Sequence, residues 1–261
     1  MLFGKTIVVT GVASGIGART AQLAMAQGAD VIGVDINASN NPGFEFVQAD
    51  ISTQAGVDEL AASLPQRFDA LCNVAGLSGS TGLAPVLNVN FFGLRALSYA
   101  CAPKLRVGGA VINVASIAGY GWRANLERTR AIVSQEGFPD IARIASEHSI
   151  DPGYGYPLSK ELLLLWTQKA AHMPLFKEHG IRVIAVSPGP VETPILKQFR
   201  AVLGDARVDS DIDRVGRAGA ASDIAPVIAF LASDGARWIN GANIAADGGL
   251  EASINAEVHQ F

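Results

Sequence analysis

The segment from Thr6 to Asp35 constrains the fold more than any other part of this chain. Thr6-Ile7-Val8-Val9-Thr10 is a short β-branched run and reads as a buried strand. It runs directly into Gly11-Val12-Ala13-Ser14-Gly15-Ile16-Gly17. A helical pattern follows from Ala18 to Gln27, with Gly28 at its stop. Val31-Ile32-Gly33-Val34 then reads as a second strand and ends in Asp35. A strand, a glycine-rich turn and a helix N-terminus in succession make an anion site, because free backbone N–H groups and the helix dipole point at the same spot.

That context is the one a dinucleotide fingerprint requires. Gly11, Gly15 and Gly17 let the backbone come close to a pyrophosphate, with Ser14 and Ile16 between them. Asp35 lies 18 residues beyond Gly17, where an acid bonds the adenosine ribose and repels a 2′-phosphate. No Lys or Arg occurs from Val12 to Ser14 or directly after Asp35, so the expected cofactor is NAD(H), not NADP(H). The plainer reading of Asp35 is a turn residue before Asn37.

Composition bounds the partners. The chain has 261 residues, 49% hydrophobic and 17% charged, which suits one folded domain over its whole length. A net charge of −4 argues against nucleic acid and an anionic membrane surface as partners. Cys72 and Cys101 are the only cysteines and read as buried thiols in a reducing, cytoplasmic setting. His148, His172, His179 and His259 show no ligand spacing, so no catalytic metal is expected. No signal peptide or bilayer-length apolar stretch is visible.

The rest alternates strand and helix. Strands are expected at Phe44–Gln48, Ala70–Gly76, Ala110–Ala115, Arg182–Val186 and Ala242–Ala246. Helices are expected over Val57–Leu64, Val86–Leu105, Leu158–Met173 and Asp223–Ala232. Alternation of this kind specifies an α/β fold, a Rossmann-like doubly wound parallel sheet with helices on both faces. Ligands of such sheets bind at the strand carboxyl ends. Gly11, Asp35, Asp50, Asn73, Ser116 and Gly189 all fall there.

Tyr156 and Lys160 form the only Tyr-x-x-x-Lys of the chain. On a helix they share one face. A free phenol titrates near ~10, and a neighbouring cation favours its ionised form. The pair is therefore a general base for a hydroxyl proton.

With Thr10-Gly11-x-x-x-Gly15-Ile16-Gly17, Asp50-Ile51, Asn73-x-Ala75-Gly76, Val89-Asn90-x-x-Gly93, Ser116, Tyr156-x-x-x-Lys160, Pro188-Gly189-x-x-x-Thr193 and Asp247-Gly248-Gly249 in order, the chain resembles a short-chain dehydrogenase/reductase over essentially its whole length. Val74 stands where that family usually has a second asparagine. The resemblance implies Tyr156 as acid/base, Ser116 as a hydrogen-bond donor to the substrate oxygen, Lys160 on the nicotinamide ribose, and Asn90 as anchor of a proton-relay water. Asn88, two positions earlier, is off the motif. It further implies cofactor contacts from Asp50, Ile51, Asn73, Ala75, Gly76, Pro188, Gly189, Val191 and Thr193. A redox sensor that binds NAD(H) without turnover is the remote alternative.

Ser116 and Tyr156 are 40 positions apart, much further than in most of the family. Leu126, Ile132, Val133, Phe138, Ile141 and Ile144 predict one or two short amphipathic helices in an insertion of about 120–155. It would either wall the substrate pocket with Trp122 and Phe138, or cover the long helices that many family members use for tetramers. We expect a homo-oligomer, a dimer lacking that interface. Ile195, Leu196, Phe199 and Leu203 recur at helical spacing in a lid of about 194–218. An apolar lid suits a bulky uncharged alcohol or its ketone or aldehyde. Gly11-Val12-x-Ser14-Gly15, Asp69-Ala70-Leu71-Cys72-Asn73 and Arg237-Trp238-Ile239-Asn240-Gly241 resemble the branch that oxidises aryl allylic alcohols of the coniferyl type; a 3α-hydroxysteroid or carbonyl substrate is the alternative. The tail from Glu251 to Phe261 would cross to a neighbouring subunit or stay disordered.

Overall fold

Apolar strands alternating with amphipathic helices give a sheet buried on both faces. The computed structural model describes residues 1–38 and 43–261. β1 (Thr6–Thr10) leads into α1 (Gly15–Ala26), β2 (Asp30–Asp35) and β3 (Glu45–Gln48). Next come α2 (Gln54–Ser63), β4 (Phe68–Asn73), α3 (Leu83–Leu87) and α4 (Leu94–Cys101), the last two joined by a π-helical turn, Asn88–Gly93. β5 (Leu105–Val114) precedes the insertion, which forms a 3-10 segment (Ile117–Arg123), α5 (Leu126–Val133) and α6 (Ile141–Glu147). The remainder is α7 (Gly155–Ala170), α8 (Pro174–Lys177), β6 (Arg182–Pro188), β7 (Val191–Glu192), α9 (Pro194–Leu203), α10 (Asp205–Val215), β8 (Gly219–Ala220), α11 (Ala221–Ala232), β9 (Asn243–Ala246) and α12 (Leu250–His259).

Among the described residues seven strands pair in the order β3-β2-β1-β4-β5-β6-β9, all parallel. The chain winds outward one way through β2 and β3, then the other way from β4. The crevice of such a sheet lies at the carboxyl ends where the direction changes, here between β1 and β4. Period-2 side chains divide the core in two. Val8, Val111 and Val183 face α2, α4 and α7, whereas Ile7, Ile112 and Ile184 face α1 and α11. Each such side chain contributes about 1.5–3 kcal/mol by leaving water. Cys72 and Cys101 are free buried thiols. Among the described residues no helix is long and apolar enough to cross a membrane.

Several boundaries differ from the sequence reading. The helix expected over Val86–Leu105 begins at Leu83 and ends at Cys101, because Pro103 cannot continue it. Leu105 instead pairs with Phe68 at the start of β5. α7 starts at Gly155, ahead of the expected Leu158, so Tyr156 and Lys160 both lie on its first turns. Pro174 does not merely stop a helix; it occupies the first turn of α8. The C-terminal segment, one of whose two expected states was disorder, is ordered over Leu250–His259. It forms α12, which the Tyr120 hydroxyl meets at Asn255 and Arg214 meets at Glu257 (2.6 Å).

The insertion does form two short helices, and they pack outward on α7 and α3. Two buried charged side chains, Arg95 and Glu161, hold them. The Arg95 guanidinium, 3% exposed, donates to the carbonyls of Val133 (3.0 Å) and Gly137 (2.9 Å) beneath the insertion, and lies over the Phe91 and Phe92 rings. The buried Glu161 carboxylate accepts from Asn125 (2.7 Å), the Tyr154 hydroxyl (2.7 Å) and Arg128 (3.2 Å). A buried charge is tolerated only when paired and bonded in this way.

Candidate active site

The cleft of ≈ 660 Å³ opens at the strand carboxyl ends. Its floor begins at the glycine turn. Gly11 has φ +77°, and a Cβ there would lie 2.8 Å from Ala75 Cα. A Cβ on Gly17 would lie 2.1 Å from the Gly11 carbonyl oxygen, so only glycine lets α1 pack this close to β1. Ser14 caps α1 without a side-chain bond to it, and the first turn carries no acid. The N–H groups of that turn therefore remain for an anion. A dinucleotide pyrophosphate fits this cradle on geometry alone.

Asp35 ends β2 beside the turn. Its carboxylate accepts from the Ala13 N–H (2.9 Å) and the Asn37 N–H (2.9 Å), and it makes no ion pair among the described residues. Asp50 closes a tight turn by accepting from Ser52 N–H (2.8 Å), and Ile51 is buried next to it. On the opposite wall Thr10 Oγ1 accepts from both Val74 N–H and Ala75 N–H (3.0 Å each), fixing the exit of β4. Further along, Pro188, Gly189 and Val191 line the cleft, and Thr193 Cγ2 comes within 3.1 Å of where a Gly15 Cβ would stand.

Every expected cofactor-contact residue lines the cleft except Asn73. Strand pleating turns Asn73 the other way. Its amide donates to Ser98 Oγ (2.9 Å) and Asn113 Oδ1 (2.9 Å) inside the α4/α7 core. The contact expected of Asn73 is thus corrected to a core role. Asn90 also stands behind the cleft wall. It bonds Leu77 through both its N–H (2.7 Å) and carbonyl (2.9 Å) and reaches Ser159 (3.2 Å). The π-helical turn carrying Asn90 escaped the sequence reading; such turns concentrate at functional sites.

Ser116, Tyr156 and Lys160 meet on one side of the cleft. Ser116 follows β5, and its Oγ accepts from Ala118 N–H (3.1 Å). Lys160 Nζ donates to the Val114 carbonyl (2.8 Å) and lies 5.4 Å from the Tyr156 ring centre. Burial pulls Lys160 down to about 8. Burial also pushes the Tyr156 phenol up to about 12, with a hydrogen bond from Ser116 pulling the other way. Desolvation is the larger of these two effects, so burial opposes the lowered phenol expected from the sequence and the cations beside it must offset that.

The far wall is apolar. α9 places Ile195, Leu196 and Phe199 on the cleft beside Leu77 and Pro85. The Phe199 ring meets the Tyr156 ring edge-on at 4.5 Å. Gln198, on the same helix, accepts from the buried Ser78 hydroxyl and latches α9 across the cleft. The side chain of Leu203, fourth in the lid pattern, lies outside the described residues. Trp122 and Phe138 do not line the cleft; both pack against the core beneath the insertion. The pocket wall expected from them is instead supplied by α9. Among the described residues no group of three His, Cys, Asp or Glu could hold a metal.

A parallel α/β sheet with a glycine-turn cradle and a Tyr–Lys pair beside a strand-end serine defines an oxidoreductase of the dinucleotide-dependent class. The family described as short chain dehydrogenase matches residues 5–126, and the one described as Enoyl-(Acyl carrier protein) reductase matches residues 140–251. A coniferyl-alcohol dehydrogenase of a Pseudomonas species is 41% identical over 95% of this chain and 97% of its own. The 3-alpha-hydroxysteroid dehydrogenase/carbonyl reductase of Comamonas testosteroni is 34% identical over 94% and 96%. The 3-alpha-hydroxysteroid dehydrogenase from Pseudomonas sp. B-0831, solved in complex with NADH, superposes with a TM-score of 0.83 at 28% identity, covering 97% of this chain and 99% of that one. The chain belongs to the short-chain dehydrogenase/reductase family.

Proposed function

We propose that the protein is an NAD-dependent alcohol dehydrogenase for a bulky apolar alcohol, best an aryl allylic alcohol of the coniferyl type. The observation that carries this reading is the apolar wall of α9, with Phe199 packed against Tyr156. A planar substrate entering there leaves water against Leu77, Ile195 and Phe199 and brings its hydroxyl to Ser116 and Tyr156. The likeness to coniferyl-alcohol dehydrogenase supports it. A hydroxysteroid is the second reading, supported by the likeness in sequence and structure to two 3-alpha-hydroxysteroid dehydrogenases.

In this reading the α1 N-terminus holds the pyrophosphate, Asp35 the adenosine ribose and Lys160 the nicotinamide ribose. When bound, NAD supplies the hydride acceptor and a positive ring. Tyr156 takes the hydroxyl proton of the alcohol onto its phenolate oxygen, and Ser116 donates a hydrogen bond to the substrate oxygen as negative charge gathers on it. Lowering the phenol from about 12 to neutrality corresponds to about 7 kcal/mol at ~1.4 kcal/mol per unit. Two nearby positive charges in a dry cleft act in that direction.

The cofactor part is tested at Asp35. Its negative charge, fixed by two backbone N–H groups, opposes a 2′-phosphate by about 1–3 kcal/mol. Asp35→Ser should lower the preference for NAD over NADP in kcat/KM by roughly 10- to 100-fold. An unchanged preference would show that Asp35 is only a turn residue.

A further inference from the structure

Asn88 opens the π-helical turn and lines the cleft with Pro85 and Val89. Its Oδ1 is buried and has no hydrogen-bond partner among the described residues. The other buried side-chain atoms in that condition belong to Thr20, Gln27, Asn73, Arg128 and Arg182, none of which lines the cleft. Asn90, two residues on, has its amide fully engaged by Leu77 and Ser159. A buried acceptor without a donor carries a desolvation cost of about 1–3 kcal/mol. A cleft-wall residue is where a ligand can offset that cost.

The backbone indicates which part of a ligand. A Cβ on Gly93 would lie 2.0 Å from the Ile51 carbonyl oxygen and 2.9 Å from the Asn88 carbonyl oxygen. The π-helical turn is thus pressed against the Asp50–Ile51 side of the cleft, on the same side as the β2 and β3 strands. We propose that Asn88 is a binding residue for the adenosine half of the dinucleotide, accepting a hydrogen bond from an amino or ribose hydroxyl donor. This rests on the NAD reading above. The π-helical turn serves two tasks in three residues: Asn90 braces Leu77 from behind the wall, and Asn88 meets the ligand from the front.

The test is binding to the full-length protein, followed by calorimetry with NADH, ADP-ribose and reduced nicotinamide mononucleotide, together with thermal unfolding of the unliganded form. Asn88→Leu keeps the side-chain volume and removes the acceptor; Asn88→Ala repeats the loss with a smaller side chain. The expected result is about 5- to 20-fold weaker binding of NADH and of ADP-ribose, unaltered binding of the mononucleotide, and an unliganded melting temperature of Asn88→Leu that is equal or higher. A structural residue would show the reverse, a lower melting temperature with both fragments weakened alike, and that outcome overturns the assignment. ADP-ribose bound equally by wild type and both variants overturns it as well, while leaving the NAD reading intact. Wild-type protein that binds neither NADH nor ADP-ribose overturns the NAD reading and this inference together.

Discussion

Tyr156→Phe should abolish turnover and leave NADH bound almost as tightly as in the wild type. The substitution removes one oxygen and keeps the ring that packs on Phe199 at 4.5 Å. Among the described residues no backbone group bonds that oxygen, so folding stability should change little. General-base removal costs about 10²–10⁴ in rate, and kcat is expected to fall by that factor. The pH profile carries a second signature. Burial pushes the phenol up to about 12, Lys160 and the positive ring of bound NAD pull it back toward neutrality, and only its ionised form accepts a proton. Wild-type oxidation should therefore rise with pH as the phenol ionises, and whatever rate remains in Tyr156→Phe should lose that dependence. Stopped-flow traces and NADH fluorescence titrations on both proteins measure this. Retention of most activity would mean that another group takes the proton.

Gly17→Ala is expected to be the most damaging substitution in the cofactor cradle. The added methyl would stand 2.1 Å from the Gly11 carbonyl oxygen and 2.6 Å from its carbon. Both are backbone atoms of the strand exit, which cannot rotate aside as a side chain can. Either α1 shifts away from β1 or the turn distorts, at a cost of about 3 kcal/mol. For a chain of this size that corresponds to a fall in melting temperature of roughly 6–12 °C. The same shift moves the N–H groups at Gly15 and Ile16, so NADH affinity should drop even where the variant stays folded. Thermal unfolding and NADH titration of the variant check both parts; a stable variant with wild-type affinity would show that the close contact yields without consequence.

The parts of this molecule that were legible in the sequence are those written in local patterns. β-branched runs ended by glycine or acid marked β1, β2 and the cradle, because a buried parallel strand and a tight turn each restrict residue type strongly. The insertion helices were legible from the spacing of Ile132, Val133, Ile141 and Ile144. What they pack against was not, since Arg95 meets Gly137 across 42 residues and Arg128 meets Glu161 across 33. Asn73 was misplaced because a motif gives a position but not the side of the pleat. The π-helical turn at Asn88–Gly93 carries no local signature; the close approach of Gly93 to Ile51 is a tertiary contact. The raised phenol of Tyr156 follows from burial, which a pair of residues four apart cannot reveal.

The central claim is that Tyr156 and the apolar wall of α9 together oxidise an aryl allylic alcohol with NAD. The most direct measurement is NADH formation by the purified protein, offered coniferyl alcohol, cinnamyl alcohol, androsterone and simple aliphatic alcohols, each with NAD and with NADP at neutral and alkaline pH. The account predicts turnover of the aryl allylic alcohols with NAD, faster at alkaline pH, and little with NADP or the aliphatic alcohols. Preference for androsterone would contradict the aryl assignment and favour the hydroxysteroid reading. No turnover of any alcohol, despite tight NADH binding, would contradict the claim outright and leave a protein that senses the dinucleotide without using it.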